Sequence, residues 1–447
     1  MRRDKLHLAS FVTPGDVHIA SWRQPKLRYE RGSDFGMYLD SARILEQAKF
    51  DLLLLGDVPA NAQDPIEMQS RISKYDMLDP LTVIAALAVT TRSIGLAATG
   101  STTYGEPYHV ARRFASIDHL SGGRVAWNLV TTANPTEAWN FSRDEHAAHA
   151  DRYARAEEFV DVVIGLWESW EEGAFVRDKQ SGIYVKPEAI RPLHHRGAHF
   201  SVRGPLDIDR TPQGRPVIVQ AGSSEPGKNL AARVADVVFT AQQSLAGAQA
   251  FYRDLKERVA RSGRSPDEAV VVVGMLPVVG DTEEEARRKF DAIQALIHPT
   301  VALTKTAELM GNIDLTRYPL DEMLPEQLPT GIGFTSRQQG ILDYARRNRM
   351  TLRQISALIG GTRGHLPMIG TAASIADTME QWFTQNAADG FLLFPTSLPE
   401  ALIEFTETVV PELQSRGLFR TEYEGATLRD NLGVPTPSAA FRTATEG

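Results

Sequence analysis

The sequence places two serines directly after a glycine, in the turn Gly222-Ser223-Ser224. The turn follows the apolar run PVIVQA, and a helical pattern begins near Glu225, with Pro226 at an early helical position. The unpaired N–H groups of a helix start, its dipole and two hydroxyls form a site that suits a phosphate. The alternative is that one of the serines only caps the helix, which for such a turn alone is the commoner case.

Further polar side chains follow other apolar runs of the sequence. They are hydroxyls, amides and one carboxylate, with little fixed charge, and they include Asp57, Thr99, Thr103, Thr132 and Asn134. Such a set suits a neutral, hydrogen-bonding heterocycle better than a metal, which needs several carboxylates or imidazoles.

The remaining motifs exclude several kinds of chemistry. The chain has no cysteine, which removes disulfides, thiolate nucleophiles, Fe–S clusters and Cys-rich zinc sites. Histidine pairs such as His146 and His149 could share a helical face, but no carboxylate cluster completes a coordination set, so we predict no metal site. The glycine-rich patterns of dinucleotide and P-loop folds and the G-x-S-x-G elbow of hydrolases do not occur.

The composition is that of a soluble globular enzyme, with 42% hydrophobic and 23% charged residues among 447. The net charge of −8 gives no reason to expect a nucleic acid or an anionic membrane as partner. No apolar run approaches the length of about 18 residues that spans a membrane, and the N-terminus lacks the pattern of a signal peptide. We therefore expect a cytoplasmic protein that binds small molecules or further copies of itself.

The polar turns are positioned by short apolar runs that alternate with helix-period segments, which is typical of βα units in a parallel sheet. Eight strands fit a closed barrel, whose active site lies at the carboxyl ends of the strands. The sequence therefore predicts an α/β fold, a (β/α)₈ TIM barrel, in a single domain over residues 1–447. The predicted strands are Leu6–Val12, Asp51–Asp57, Ile94–Gly100, Arg124–Thr131, Pro216–Gly222, Val237–Ala241, Ala269–Val279 and Gly390–Pro395.

Long insertions are expected after strands 4 and 7, because the barrel itself needs only about 250 residues. We place them at about 133–150, 175–213 and 299–369. The last contains helical patterns at Ser336–Asn348 and Leu352–Leu358, so it is predicted to be a folded cap. The tail 419–447 is polar and contains prolines, and we expect it to wrap the surface or a neighbouring subunit.

The longest distinctive stretch is ATGSTTYGEPYHVARRFASIDHLSGGRVAWNLVTTANPTEAWNF, at Ala98–Phe141. Together with HIASWRQP, DRYARAEEFVDVVIGLW, QAGSSEPGKNLAARVADVVFT and IGTAASIADTMEQW, it resembles bacterial-luciferase-like flavin-dependent monooxygenases. The resemblance is to the group of nitrilotriacetate monooxygenase, pristinamycin IIA synthase and dibenzothiophene-sulfone monooxygenase. It extends over nearly the whole chain.

The resemblance implies a cofactor and its binding residues. The cofactor is reduced FMN, supplied by a separate NAD(P)H:FMN reductase, and the oxidant is a C4a-peroxyflavin. Gly222, Ser223, Ser224 and Tyr153 would hold the phosphate. The isoalloxazine and ribityl positions would be lined by Asp57, Thr99, Thr103, Thr132 and Asn134.

The resemblance also singles out a histidine in the first loop, where related enzymes often carry a histidine pair. Here only His18 matches, because Val17 precedes it. His18 is our candidate for an active-site proton donor or peroxide-orienting group, since imidazole titrates near physiological pH. The alternative is a histidine that is hydrogen-bonded for structural reasons.

The function implied is a two-component, FMN-dependent monooxygenase that uses O₂ to oxidise a small organic substrate at a C–S, C–N or C–H bond. The first alternative is a deazaflavin-dependent oxidoreductase on the same barrel, and the second is a non-catalytic flavin-binding protein. The family also implies a homodimer or homotetramer.

Overall fold

The computed structural model describes residues 5–14, 18–60, 66–73, 75–311, 313–325, 328–329 and 335–437. The strands are β1 (His7–Phe11), β2 (Leu52–Leu55), β3 (Gly95–Ser101), β4 (Val125–Val130), β5 (His195–Arg196), β6 (Ser201–Val202), β7 (Val217–Ala221), β8 (Val237–Thr240), β9 (Val270–Val279), β10 (Leu366–Gly370) and β11 (Gly390–Leu393). The helices are α1 (Phe35–Gln47), α2 (Ile66–Gln69), α3 (Pro80–Thr90), α4 (Pro107–Ser121), α5 (Glu137–Asn140), α6 (His149–Trp167), α7 (Glu225–Val234), α8 (Leu245–Arg261), α9 (Glu283–Gln294), α10 (Pro299–Leu309), α11 (Thr335–Arg347), α12 (Leu352–Thr362), α13 (Ala372–Thr384), α14 (Glu400–Ser415) and α15 (Leu428–Leu432).

Eight parallel strands close into a barrel. Their order around the barrel is β1-β2-β3-β4-β7-β8-β9-β11, and β11 pairs with β1 to complete the ring. All eight strands coincide with the predicted ones, so the predicted (β/α)₈ TIM barrel is confirmed. The strands could be predicted from the sequence because the strands of such a barrel are buried on both faces and are therefore apolar throughout. The burial of all ten residues of β9 shows this directly.

The barrel interior is filled by alternate side chains of the strands, among them Ala9, Leu54, Ala126, Val219 and Val272. The other side chains of the strands face the surrounding helices and form the larger core between sheet and helices. The two apolar layers fix the strands on both sides. The loops at the carboxyl ends are therefore held on a rigid frame.

The C-terminal segment closes the amino end of the barrel. Leu428, Leu432 and Val434 join the interior side chains. Arg429 is buried and pairs with Asp236 through two hydrogen bonds of 2.9 and 3.0 Å. The expectation that the tail wraps the surface or a neighbouring subunit is therefore wrong for this part of it, because its apolar side chains seal the barrel. Residues 438–447 lie outside the described residues.

A ninth strand, β10, lies within the predicted insertion 299–369 and extends one residue beyond it. It pairs in parallel with the outer half of β9, from Leu366 opposite Met275 to Gly370 opposite Val279. The sequence prediction missed it because the run LPMIG contains a proline and a glycine, which usually mark loops. The end of the insertion is therefore part of the sheet.

The rest of this insertion is a folded cap, as predicted. Its helices α10, α11 and α12 enclose an apolar cluster of their own, which includes Met310, Leu315, Ile341 and Ile355. The insertion after β4 contains α5 and the hairpin of β5 and β6. No helix among the described residues is long and apolar enough to cross a membrane.

Candidate active site

The predicted site residues follow neighbouring strands of the barrel at one end. Asp57 follows β2, Thr99 and Thr103 lie at the end of β3, Thr132 follows β4, and the serine turn follows β7. Because the strands are parallel, their carboxyl ends meet at one mouth of the barrel. We call this end the barrel mouth. The fold therefore brings together residues that are far apart in the sequence.

The serine turn after β7 both caps a helix and faces a tyrosine. Ser224 is the N-cap of α7, and its hydroxyl oxygen accepts a hydrogen bond from the Gly227 N–H at 3.3 Å. The same hydroxyl donates to the phenol oxygen of Tyr153 on α6 at 3.4 Å. Ser223 is exposed, and its hydroxyl has no hydrogen bond to the described residues. The capping reading is thus correct for Ser224, while Ser223 and the Tyr153 O–H keep donors for a ligand.

The first turn of α7 offers fewer free N–H groups than the sequence analysis expects. Pro226 has no N–H, the Gly227 N–H is used by the cap, and the Lys228 N–H donates to the Ser224 carbonyl. An anion here would therefore rely on the hydroxyls of Ser223 and Tyr153 and on the positive end of the helix dipole.

Two glycines allow the loop after β7 and the start of α7 to approach closely. A Cβ atom on Gly222 would lie 3.0 Å from the backbone of Gly227. A Cβ atom on Gly227 would lie 2.9 Å from the Tyr153 hydroxyl and 3.0 Å from the Ser224 hydroxyl. Larger residues at these positions would displace the hydroxyls, so the glycines fix the shape of this small polar cradle.

Two polar side chains face the barrel interior near the mouth. Thr99 donates to the carbonyl of Leu55 at 3.0 Å and accepts from the Asn128 amide at 2.7 Å. The Asn128 amide oxygen is buried and has no partner among the described residues. Sequence reasoning missed Asn128, although a polar residue at an inward position of β4, between apolar residues, is a signal that could have identified it.

A chain of hydroxyls joins the ends of β3 and β4. Ser101 and Thr132 share a hydrogen bond of 2.7 Å, and Thr132 donates to a Glu137 carboxylate oxygen at 3.4 Å. Thr132 has a φ of 35°, a left-handed conformation that is uncommon for a β-branched residue. The Thr103 hydroxyl is buried beside this chain without a partner among the described residues. Left-handed β-branched residues and buried hydroxyls without a partner are both more frequent at functional sites than elsewhere.

Two carboxyl groups at the mouth have raised pKa values. Burial, together with repulsion from Asp57, raises the pKa of Glu137 to about 7. Burial and repulsion from Asp79 raise the pKa of Asp57 to about 6, although the Val58 N–H opposes this. Glu137 therefore titrates near neutral pH and Asp57 about one pH unit lower, as expected for carboxyl groups placed near each other away from water. The sequence analysis named Asp57 as a candidate but not Glu137, which lies in the insertion after β4.

Asn134 is only partly available for a ligand. Its amide oxygen accepts from the Thr136 N–H at 3.1 Å and from the Thr136 hydroxyl at 2.9 Å. This local turn leaves the NH₂ group as its possible contact. A third residue to which sequence reasoning gave no role is Tyr104, whose hydroxyl lies 2.6 Å from His146 Nδ1 and whose ring stacks on Phe141 at 4.9 Å. Tyr104 and Phe141 therefore form an aromatic edge beside the polar residues that follow β3 and β4.

His18 is fully buried between the first loop and the cap. Its Nδ1 accepts from the Ala20 N–H at 3.3 Å, and its Nε2 lies 3.2 Å from the Gln294 amide oxygen. Burial lowers its pKa to about 4, against a smaller opposing effect of Gln294. The imidazole is therefore neutral at physiological pH, with its proton on Nε2. Its role as a proton donor stays a prediction, and Val17 lies outside the described residues.

The histidine pairs have partners of their own. His146 bonds Tyr104, and His195 lies 2.9 Å from a Glu158 carboxylate oxygen. Within the ranges that the structure describes, no three His, Asp or Glu side chains gather closely enough to hold a metal.

A cavity of about 560 Å³ opens beside Asp57. Its wall includes Tyr75, Leu78, Thr136 and Trp139. This volume lies in the range of small-molecule sites. The arrangement thus combines a place for an anion at α7, a set of polar atoms at β3 and β4 without partners among the described residues, and an open space beside Asp57.

Comparison with known proteins gives matches over nearly the whole chain. The profile of the luciferase-like monooxygenases matches residues 17–389. Nitrilotriacetate monooxygenase component A of Aminobacter aminovorans is 48% identical over 440 residues, which cover 97% of each protein. N-acetyl-S-(2-succino)cysteine monooxygenase of Bacillus subtilis is 44% identical over 437 residues, 98% of each.

The fold is also similar to solved structures. The crystal structure of a riboflavin lyase with modified FMN and its substrate riboflavin has a TM-score of 0.86 and 32% sequence identity to this chain. The match covers 97% of both chains. The likeness therefore extends from the barrel to the long insertions.

Proposed function

Because the chain belongs to the luciferase-like monooxygenase family, we propose that it uses reduced FMN and O₂ to oxidise a small nitrogen- or sulfur-containing organic substrate. It is a flavin-dependent monooxygenase. The proposed substrate class is supported by two relatives whose names give an amine and a thioether as substrates. A separate NAD(P)H:FMN reductase is proposed as partner because the first of these relatives is named as one component of a system.

The observation that carries the proposal is the polar cradle at α7, at the same end of the barrel as the unpaired polar atoms. Ser223, Ser224, Tyr153 and Gly222 would hold the phosphate of FMN. The isoalloxazine and ribityl parts would be lined by the predicted set Asp57, Thr99, Thr103, Thr132 and Asn134. The buried, unpaired Thr103 hydroxyl and Asn128 amide oxygen support this fit, because a polar ligand would satisfy both.

When bound, reduced FMN supplies the electrons that activate O₂, and the protein contributes binding, orientation and exclusion of water. The insertions beside the mouth would exclude water. Glu137 would hold a proton close to the cofactor, and its hydrogen bond to Thr132 would fix its position. The C4a-peroxyflavin that the resemblance implies and the part of His18 in the reaction stay predictions.

The first test is the affinity for FMN, measured anaerobically by titration of the protein with reduced FMN. Replacing Ser223 by Ala should raise the dissociation constant about 10- to 150-fold, because one charge-assisted hydrogen bond of about 1.5–3 kcal/mol is lost. The thermal stability of the free protein should not change, since the Ser223 hydroxyl is exposed and has no bond to the described residues.

A matched pair of variants separates phosphate binding from helix capping. Ser224 and Ser244 both begin a helix directly after neighbouring barrel strands, and both accept from the N–H of a glycine three residues on, at 3.3 and 3.2 Å. Each change to Ala should therefore cost about 1 kcal/mol of stability. Only Ser224→Ala should weaken FMN binding, because the Ser224 hydroxyl holds the Tyr153 hydroxyl in place by a hydrogen bond of 3.4 Å. Equal FMN affinity in the two variants would move the phosphate to another place.

The second test is turnover with a flavin reductase, NADH, FMN and a panel of sulfides, sulfones and amines. We expect an oxidised product, detected by mass spectrometry, only when reductase and O₂ are both present. Hydride exchange with reduced deazaflavin that is indifferent to O₂ would contradict the proposal and favour the oxidoreductase alternative. Tight FMN binding without any product across the panel would favour a non-catalytic flavin-binding protein.

A further inference from the structure

His18 has protein partners on both sides of its ring. Its Nδ1 accepts from the Ala20 N–H at 3.3 Å, within the first loop, so the proton of the neutral ring is on Nε2. The Nε2 atom lies 3.2 Å from the amide oxygen of Gln294, the last residue of α9, and donates to it. Because His18 is fully buried, the ring joins the first loop to the end of α9 away from water.

Two consecutive glycines bring helix α12 of the cap against this histidine. A Cβ atom on Gly361 would lie 2.5 Å from the Gln294 amide oxygen and 3.0 Å from Cδ2 of His18. A Cβ atom on Gly360 would lie 3.2 Å from the side chain of Ile19. Glycine weakens the interior of a helix, so the close approach of α12 to the first loop accounts for its presence here.

The rest of the first loop is joined both to the cap and to the barrel. Arg23 donates to the carbonyl of Leu296, in the connection between α9 and α10. Gln24 donates to the carbonyl of Thr396, which follows β11, at 3.1 Å. A buried apolar cluster joins the loop to α10 and includes Ile19, Ala20, Val301 and Ala302. The first loop therefore connects the cap to the carboxyl end of the barrel.

Helix α12 leads directly into a loop at the barrel mouth. Gln243, which follows β8, donates to the carbonyl of Gly364 in this loop at 2.5 Å. The ring of His365 stacks on Phe394, which follows β11, with ring centroids 3.8 Å apart. A Cβ atom on Gly274, an inward position of β9, would lie 2.3 Å from the His365 ring. The position of α12 therefore sets the position of an aromatic pair at the mouth.

We infer that His18 is a positioning residue, which holds α12 against the first loop and thereby keeps the cap and the His365 loop on the barrel mouth. The consequence for the reaction rests on the proposed function. A cap that is held in place excludes water from the bound cofactor. When the cap is loosened, reduced FMN passes two electrons and two protons to O₂, which gives hydrogen peroxide and oxidised FMN in place of product.

The first measurement needs no turnover. It is hydrogen–deuterium exchange of the full-length protein, read by mass spectrometry in peptides from α12 and from α13. His18→Ala should raise the exchange rate of the α12 amides about tenfold, because a buried hydrogen bond whose partner stays behind contributes about this factor. The α13 amides should not change. His18→Gln should recover most of the protection, since its amide can reach Gln294 and donate to it.

Two further variants test whether His18 acts through α12, and they carry the test if His18→Ala does not fold. Gly361→Ala leaves His18 in place but puts a methyl group into the contact, so it should also raise α12 exchange. Gln294→Ala should do the same, and its effect should not add to that of His18→Ala, because the two side chains share one hydrogen bond.

The control is His7→Ala. His7 is a buried histidine at the amino end of the barrel, with Nδ1 at 3.0 Å from a carboxylate oxygen of Asp51. Its loss should lower the overall stability without a selective rise of α12 exchange. An equal rise in α12 and α13 after His18→Ala would therefore show a general loss of stability and would overturn the inference.

The second measurement follows the reaction, with the hydrogen peroxide released per reduced FMN consumed as readout. His18→Ala and Gly361→Ala should at least about double this ratio, because water reaches the cofactor. Glutamine does not titrate, yet His18→Gln should form product with a peroxide ratio close to that of the wild type. Loss of product formation in His18→Gln while its α12 amides stay protected would overturn the inference and assign His18 to proton transfer.

The inference and the proposed function fail in different ways. A selective rise of α12 exchange in His18→Ala, without oxidation of any compound by the wild type, would contradict only the proposed function. Oxidation by the wild type, with α12 exchange that does not depend on His18, would contradict only the inference.

Discussion

The raised pKa of Glu137 predicts a pH-dependent effect of Glu137→Gln on stability. Glu137 is 5% exposed, and its pKa is about 7, against an ordinary value of 4.5. Between these values the unfolded chain loses the proton while the folded protein keeps it. The folded state therefore loses stability as the pH rises from 4.5 to 7, and the loss is constant above 7. At 1.36 kcal/mol for each pH unit, the full effect is about 3 kcal/mol.

Glutamine keeps the size of the side chain and an oxygen for the Thr132 hydroxyl, but it carries no charge. Glu137→Gln should therefore be more stable than the wild type by about 3 kcal/mol at pH 8, and by much less at pH 5. The assay is urea unfolding of both proteins at pH 5, 6, 7 and 8. The control is Glu172→Gln, on an exposed side chain, which should change stability by less than about 0.5 kcal/mol at each pH.

The neighbour Asp57 gives a second check of the same reasoning. Repulsion from Asp57 is one cause of the raised pKa of Glu137, so Asp57→Asn should lower that pKa and reduce the gain from Glu137→Gln. If Glu137→Gln is more stable than the wild type by the same amount at all four pH values, the reasoning is refuted. The difference would then come from side-chain packing and not from the titration of Glu137.

Two further predictions concern the amino end of the barrel and the first loop. Arg429→Ala should lower the free energy of unfolding in urea by about 3–5 kcal/mol, because it leaves Asp236 buried without its partner. A loss below about 1 kcal/mol would contradict the claim that the C-terminal segment seals the barrel. His18→Asn should leave the shape of the pH profile of product formation unchanged between pH 6 and 9, because the pKa of His18 is about 4. Loss of a limb of the profile near pH 6–7 would show that His18 titrates in the working enzyme.

The barrel could be predicted because parallel strands are buried on both faces and appear in the sequence as short apolar runs. The prediction failed where an element depends on its neighbours. β10 exists because β9 is long enough to offer a free outer edge to Leu366–Gly370. The tail is polar in composition, and only the fold shows that Leu428 and Leu432 reach the barrel interior.

Sequence analysis could name candidate site residues only where they follow strands directly. Thr99, Thr103 and Thr132 were named in this way, and the fold brings them together at the mouth, but their contact with a cofactor stays a prediction. The resemblance of the stretch around them is confirmed by relatives 39–48% identical over nearly the whole chain. Glu137 was missed because its relevance depends on its distance from Asp57 in space. Its pKa is a property of the folded environment, which no local pattern of the sequence contains.

The two ends of the barrel differ in how their charged and polar groups are paired. At the amino end, Asp51, Asp236 and Asp389 each directly precede a strand, accept a backbone N–H of a neighbouring strand and pair with a cationic side chain. Burial opposes their ionisation, but these cations keep the pKa of each below its ordinary value. At the mouth, burial raises the pKa of Glu137 to about 7, and the Thr103 hydroxyl and the Asn128 amide oxygen have no partner among the described residues. Unsatisfied polar groups lower stability unless a ligand completes them, so the paired end is structural and we expect the ligands at the unpaired end.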